Sequence, residues 1–244
     1  MTSLETYLFA AENSHSKESI INNKLIYDLK LAAARHDYFL NVYTPEVDKD
    51  GFDMIFDDHD QLRKVQLKTV MKGASTNNWN IHKSALRPTP YTCEKLGFEC
   101  SPSGTGYEGG IILIELEDSE ENGFQVTYYY TDIIILCGLR DQIIDAIDKP
   151  VSKAIKTLTR SLTEGLSNEK IYIYKNMFLQ AKDPACLLAL MGIHNNIGTT
   201  AFRYHILQLA EPCVPDSLPS PVDKLKDLVN QELQKLSPSI SPSV

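Results

Sequence analysis

A chain of 244 residues with 43% hydrophobic content is long enough to bury the core of an ordinary α/β domain with helices to spare. No run of eighteen apolar residues occurs, and the opening MTSLETYLFAAENSHS lacks the basic-then-apolar order of a signal peptide, so the expected setting is cytoplasmic with no membrane span. The net charge of −8 weighs against indiscriminate binding to a polyanion.

Residues 4–12 predict a short helix. Ser16 is placed to cap a longer one through about Arg35, with Glu18 in the favourable first turn. At 100° per residue Ile21, Leu25, Asp28 and Ala32 fall within about a 60° arc, so Asp28 lies inside the apolar stripe. A carboxylate there is costly unless something pairs with it, and a core tyrosine or lysine is one such partner. Residues 38–43 (YFLNVY) read as the first strand, leading through Pro45 to an acidic loop with Glu46, Asp48 and Asp50.

The stretch that organises the chain is residues 51–70, GFDMIFDDHDQLRKVQLKTV. Two runs of alternating polarity flank the acidic Asp57-Asp58-His59-Asp60-Gln61, the pattern of a β-hairpin. If Asp57 pairs with Leu62, the apolar faces of the two strands coincide, with Phe52, Met54 and Phe56 together. Asp53 then falls opposite Gln66, and Lys68 lies one pleat further on; a one-residue slip would put Lys68 among the phenylalanines. Directly opposed residues have Cβ atoms roughly 4.5–5.5 Å apart, so a carboxylate, an amide oxygen and an ammonium converge on one point. Such a point suits a hard divalent cation beside a lysine that steadies a water or a developing phosphate charge. A solvated polar face on an edge hairpin would carry the same residues. Glu46 to Gly51 also offers a partial calcium-loop pattern, departing from it at Glu46, Asp53 and Asp57.

The arrangement resembles the PD-(D/E)xK nuclease superfamily, with an Asp on one strand and acid-x-Lys on the next. Here the second half reads Gln66-Leu67-Lys68, glutamine standing where Glu or Asp is usual, and Val65-Gln66-Leu67-Lys68-Thr69 is similar to the Q-x-K branch. The resemblance implies a restriction-endonuclease-like mixed β-sheet core flanked by helices, and metal-dependent hydrolysis of DNA. It implies Mg²⁺ or Mn²⁺ held by Asp53 and Gln66, Lys68 as the water or transition-state group, and an accessory acid from the first core helix. Asp28 fits that last role by placement, and Glu18 is its competitor. The alternative from another class is a nucleic-acid-binding or protein-interaction module that keeps the fold without cleaving, which Gln66 favours.

From Gln61 to Cys93 there is no Asp or Glu, while Arg63, Lys64, Lys68, Lys72, Lys83 and Arg87 make the segment +6, leaving −14 for the remainder. Such asymmetry predicts a phosphate-backbone track through Lys72, Trp79, His82, Lys83 and Arg87, or else a solvated loop of chance composition. Residues 80–84 read as a short strand and 92–96 as a helical turn. Residues 110–117 and 124–130 form a second hairpin, its continuous apolar run marking a central strand. Asp132 caps a helix into residues 133–147.

From 151 to 209 the pattern is mainly helical, broken by the strand-like 170–178. The tail from Glu211 holds six of the twelve prolines. Within it Ser220-Pro221 opens an amphipathic helix whose seam is Val222, Leu225, Val229, Leu233 and Leu236, packing on the body or on a partner, a second copy included; residues 237–244 read as disordered. The expected division is a nuclease-like core over 1–148, a helical extension over 149–210 and the tail over 211–244. Five cysteines (Cys93, Cys100, Cys137, Cys186, Cys213), odd in number and without C-x-x-C or clustered histidines, predict reduced thiols rather than a disulfide framework or a zinc site.

Overall fold

The computed structural model describes residues 3–46, 51–99, 105–119, 121, 123–165, 169–193, 201–210 and 222–242. Helix α1 (Ser3–Phe9) and a 3₁₀ turn at Ala11–Asn13 lead into α2 (Ser14–Arg35), which starts two residues before the expected cap. Ile21, Leu25, Leu29, Ala32 and Ala33 are its buried face. Strand β1 (Asn41–Tyr43) is half as long as its apolar run, because Tyr38 turns back to bond the Ala33 carbonyl.

Strands β2 (Met54–Asp57) and β3 (Leu62–Met71) form the central hairpin in the expected register, Asp57 opposite Leu62 and Met54 opposite Val65. Phe52, Met54, Phe56 and Val65 are all buried, so the greasy faces do coincide. Next come β4 (Asn78–His82), α3 (Lys83–Leu86) and α4 (Pro90–Lys95), the last capped by the Thr89 hydroxyl, which accepts from Thr92 N–H. Strands β5 (Gly110–Ser119) and β6 (Gly123–Asp132) pair antiparallel, and β5 lies parallel to β3. A parallel neighbour and cover on both faces account for the unbroken apolar run of β5.

Buried Asp132 then starts α5 (Ile133–Arg140): one oxygen accepts from the Ile134 and Ile135 N–H groups at 3.0 Å, and the other lies 2.6 Å from the Arg203 guanidinium. The helix ends at Arg140, seven residues short of expectation, where Asp141 and Gln142 turn the chain, Gln142 at positive φ. Helix α6 (Ser152–Thr163), β7 (Lys170–Tyr174), β8 (Leu179–Gln180), α7 (Pro184–Met191), α8 (Ala201–Ala210) and α9 (Val222–Leu236) complete the chain.

The result is an α/β fold with a six-stranded mixed sheet, in the order β1-β2-β3-β5-β6-β8, flanked by helices, and a separate ribbon of β4 and β7. Residues 149–210 do not stand apart as an extension: β8 closes one edge of the main sheet, β7 pairs with β4, and α7 packs on α2 and β6. The seam of α9 is buried against the body through Leu225, Val229, Leu233 and Leu236, with only Val222 exposed. The end of the chain differs from expectation. Ile240 is 4% exposed, bridges Ala146, and is followed by Ser241 N–H donating to the Asp145 carbonyl at 2.8 Å. A single apolar residue in a Ser/Pro stretch has found a pocket that composition does not announce. Cys93 likewise departs from the predicted thiol: it is disulfide-bonded, its other half lying outside the described residues, whereas Cys137 and Cys186 are free. An odd cysteine count does not exclude a single bridge. No helix among the described residues is long and apolar enough to cross a membrane.

Candidate functional site

The hairpin register delivers the expected juxtaposition. Asp53, one residue before β2, donates its backbone N–H to the Val65 carbonyl at 2.8 Å and accepts the Leu67 N–H on Oδ2 at 2.5 Å. Its carboxylate therefore lies over β3 beside Gln66 and Lys68. Gln66 is only 7% exposed, and its Oε1 accepts from the His82 backbone N–H at 3.2 Å, which ties β3 to β4. Gly51 makes the approach of β4 possible: its φ is +73°, and a Cβ on it would sit 2.6 Å from the His82 side chain.

These residues open on one cavity of about 480 Å³. Its floor is Asp53 and the Gln66-to-Thr69 run of β3. One wall is the first two turns of α2, where Ser14, Lys17, Glu18, Ile21 and Asn22 share a face by their three- and four-residue spacing. The other wall is the ribbon, through Trp79, Asn80 and His82 of β4 and Lys170 of β7. Two carboxylates (Asp53, Glu18) and three lysines (Lys17, Lys68, Lys170) thus face a common space. An oxygen donor set of two carboxylates and one amide carbonyl suits Mg²⁺, which takes one or two carboxylates and keeps several waters. Among the described residues no three His, Cys, Asp or Glu side chains gather as a metal-binding group, so the amide oxygen and solvent would supply the remaining ligands.

Of the two accessory acids, only Glu18 lines this cavity. Asp28 lies about 15 Å further along α2 at 1.5 Å per residue. It lines a different cleft, near β6, where it accepts from Lys24 Nζ at 2.6 and 2.7 Å and from the Tyr128 hydroxyl at 2.7 Å. Burial, followed by the bond to Asp28, raises the Tyr128 pKa, so the phenol stays a donor. The pairing that a half-buried carboxylate demands is met by Lys24 of the same helix and by Tyr128 of β6. Asp48 and the heart of the calcium-loop pattern lie outside the described residues.

The basic segment is not a surface track. Arg87 is fully buried and donates to the carbonyls of Glu164 and Gly165 at 2.8 and 2.6 Å. Lys83, also buried, pairs with Glu169 and donates to the Glu164 carbonyl. Arg63 bonds the Met191 and Glu108 carbonyls, and Lys64 sits 4.6 and 4.5 Å from the Phe52 and Tyr107 ring centres. Lys72 is exposed but paired with Glu117 at 2.8 Å. Trp79 is a core residue, edge-on to Phe178 at 6.1 Å, that also touches the cavity. Arg63, Lys83 and Arg87 are thus occupied by backbone carbonyls, most of them from later in the chain, while Lys68 alone of the six basic residues lines the cavity. Of the expected nucleic-acid contacts, Trp79 and His82 reach the cavity, and Lys72, Lys83 and Arg87 do not line it.

Lys17, Asn22, Asn80 and Lys170 were not legible as site residues. Lys17 shares the helix face of Ile21, which was a usable signal. Lys170 begins the alternating Lys-Ile-Tyr-Ile-Tyr of β7, but its place follows only from the pairing of His82 with Lys170 across the ribbon. Compared with known protein families, with curated proteins and with solved structures, the chain matches none.

Proposed function

We propose that this cavity hydrolyses DNA phosphodiester bonds with a divalent metal, on a restriction-endonuclease-like core of the PD-(D/E)xK type. The observation that carries the reading is the convergence of Asp53, Gln66 and Lys68 with Glu18 on one cavity lined by two further lysines. Asp53 and Glu18 would hold Mg²⁺ or Mn²⁺ through anionic oxygens, with the Gln66 carbonyl as a neutral ligand. When bound, the ion supplies Lewis-acid polarisation of the phosphate and a more acidic water. Lys68 orients the attacking water and balances charge building on the phosphoryl oxygens, while Lys17 and Lys170 neutralise flanking phosphates. The water oxygen bonds to phosphorus as the bond to the leaving deoxyribose oxygen breaks. The water gives up a proton to solvent, and the leaving oxygen takes one.

The test is incubation of plasmid and single-stranded DNA with Mg²⁺, Mn²⁺ or EDTA, in wild type and Lys68→Ala. Nicking by wild type with metal, absent in EDTA and in the variant, is the expected result; equal nicking by Lys68→Ala would overturn the catalytic role of the motif. A second reading, a binding module without cleavage, is favoured by the neutral Gln66, whose oxygen already accepts from His82 N–H. It predicts DNA binding without nicks in every metal.

A further inference from the structure

The ribbon of β4 and β7 has two unlike faces. Trp79, Ile81 and Ile173 are buried on the inner one. On the outer face Asn78, Asn80 and His82 stand directly opposite Tyr174, Tyr172 and Lys170. Tyr172 is 58% exposed and Tyr174 40%, two aromatic rings on alternate positions of one strand and turned to solvent. One end of this face belongs to the candidate site, since Asn80, His82 and Lys170 line its cavity. Along the length of β7 the ribbon borders a groove of about 590 Å³ against α6, lined by Lys170 and both tyrosines together with Lys153 and Thr157. Lys170 lines both spaces, and the groove lining holds two lysines and no carboxylate. A continuous path therefore leaves the site over two rings with positive charge alongside.

We propose that the outer face of this ribbon is a stacking platform for single-stranded DNA, which it leads into the cavity. The inference rests on the nuclease reading and adds the strand form of the substrate. Its warrant is spacing as well as composition. Alternate residues on a strand are about 6.8 Å apart, twice the 3.4 Å step of stacked bases, so two rings on this strand match bases that have been pulled apart. Bases in a duplex are closed within the stack and present no π-face, whereas single strands offer one at every nucleotide. The lysines flanking the rings meet the backbone charge of the same strand.

The test is fluorescence anisotropy in EDTA with a labelled single strand of about twelve nucleotides, within the usual span of such sites, and with the matching duplex. Wild type is expected to bind the single strand at least about tenfold more tightly than the duplex. Tyr172→Ala with Tyr174→Ala should weaken single-strand binding by about tenfold or more, since each lost stack is worth about 5- to 150-fold. Tyr172→Phe with Tyr174→Phe should stay within about threefold, because the rings remain. Lys170→Ala should lower the salt slope by about 0.7. Both tyrosines being exposed, thermal melting should be unchanged in all variants. Wild-type binding that is absent or favours duplex, or an alanine pair that binds like wild type, overturns the platform. Binding needs no hydrolysis here, so tyrosine-dependent binding without later cleavage in metal would sink the nuclease reading alone. Cleavage whose affinity and KM ignore the tyrosines would sink the platform alone.

Discussion

Asp53 does two jobs that a pair of substitutions can separate. Its Oδ2 accepts the Leu67 N–H at 2.5 Å in a partly buried setting, and its charge faces the cavity. Asp53→Ala removes both, and a hydrogen bond to a charged group is worth about 1.5–3 kcal/mol. For a chain of this size each kcal/mol moves Tm by about 2–4 °C, so Asp53→Ala should melt about 3–12 °C lower. Asp53→Asn keeps a carbonyl oxygen where Oδ2 was and discards only the charge, so its Tm should lie within about 3 °C of wild type. Both should lose metal-dependent nicking and calorimetric Mn²⁺ binding, because hard cations need the anionic oxygen. Calorimetric melting paired with plasmid nicking reads both effects from one preparation. An Asp53→Asn protein that nicks at the wild-type rate would refute the proposed metal role, and an Asp53→Ala protein that melts like wild type would refute the tie to β3.

Gln66→Glu adds a carboxylate beside Asp53 and can still accept from His82 N–H; it should bind Mn²⁺ more tightly by calorimetry while cleavage changes by less than about tenfold, or roughly 1.4 kcal/mol in barrier. Unchanged metal affinity would mean that the side chain does not face the ion. Arg87→Ala should cost about 3 kcal/mol or more in denaturant unfolding, since it orphans the Glu164 and Gly165 carbonyls and empties a buried volume, whereas Lys72→Ala, removing only a solvent-screened pair with Glu117, should leave the denaturant midpoint unchanged. Asp28→Ala should lower stability and leave nicking per folded molecule unchanged; a loss of activity in correctly folded protein would return Asp28 to the site. Burial pushes the Cys137 thiol up to about 12, above its unfolded value near 8.5, so its contribution to stability is full below about pH 8.5 and declines as pH rises toward 12. Mass spectrometry after alkylation at pH 8 should find Cys137 unmodified in native protein and modified in urea.

What could be read from the residues was local. The alternation around Met54 and Val65 set the hairpin register, because a one-residue slip would have exposed Phe56 and buried Lys68. Asp132 announced α5, and the apolar period of α9 announced its seam. What could not be read was non-local. The positive charge of Lys83 and Arg87 looked like surface until Glu164, Gly165 and Glu169 arrived from some eighty residues downstream, and composition carries no record of that meeting. Asp28 shows the same limit from the other side: its stripe correctly signalled a partnered carboxylate, but whether the partner was a site or Tyr128 depended on where β6 would lie.

The pairing of β4 with β7 has a consequence for timing. One wall of the cavity is complete only when Lys170 reaches His82. Roughly ninety residues separate them, so during synthesis at 5–20 residues per second β4 waits about 4–18 s, with Trp79 and Ile81 uncovered, before its partner strand exists. A growing chain, or one broken off before β7, carries Asp53, Gln66 and Lys68 but lacks the ribbon wall of their cavity. On the nuclease reading proposed above, a cell making this protein would be spared cleavage by its unfinished copies.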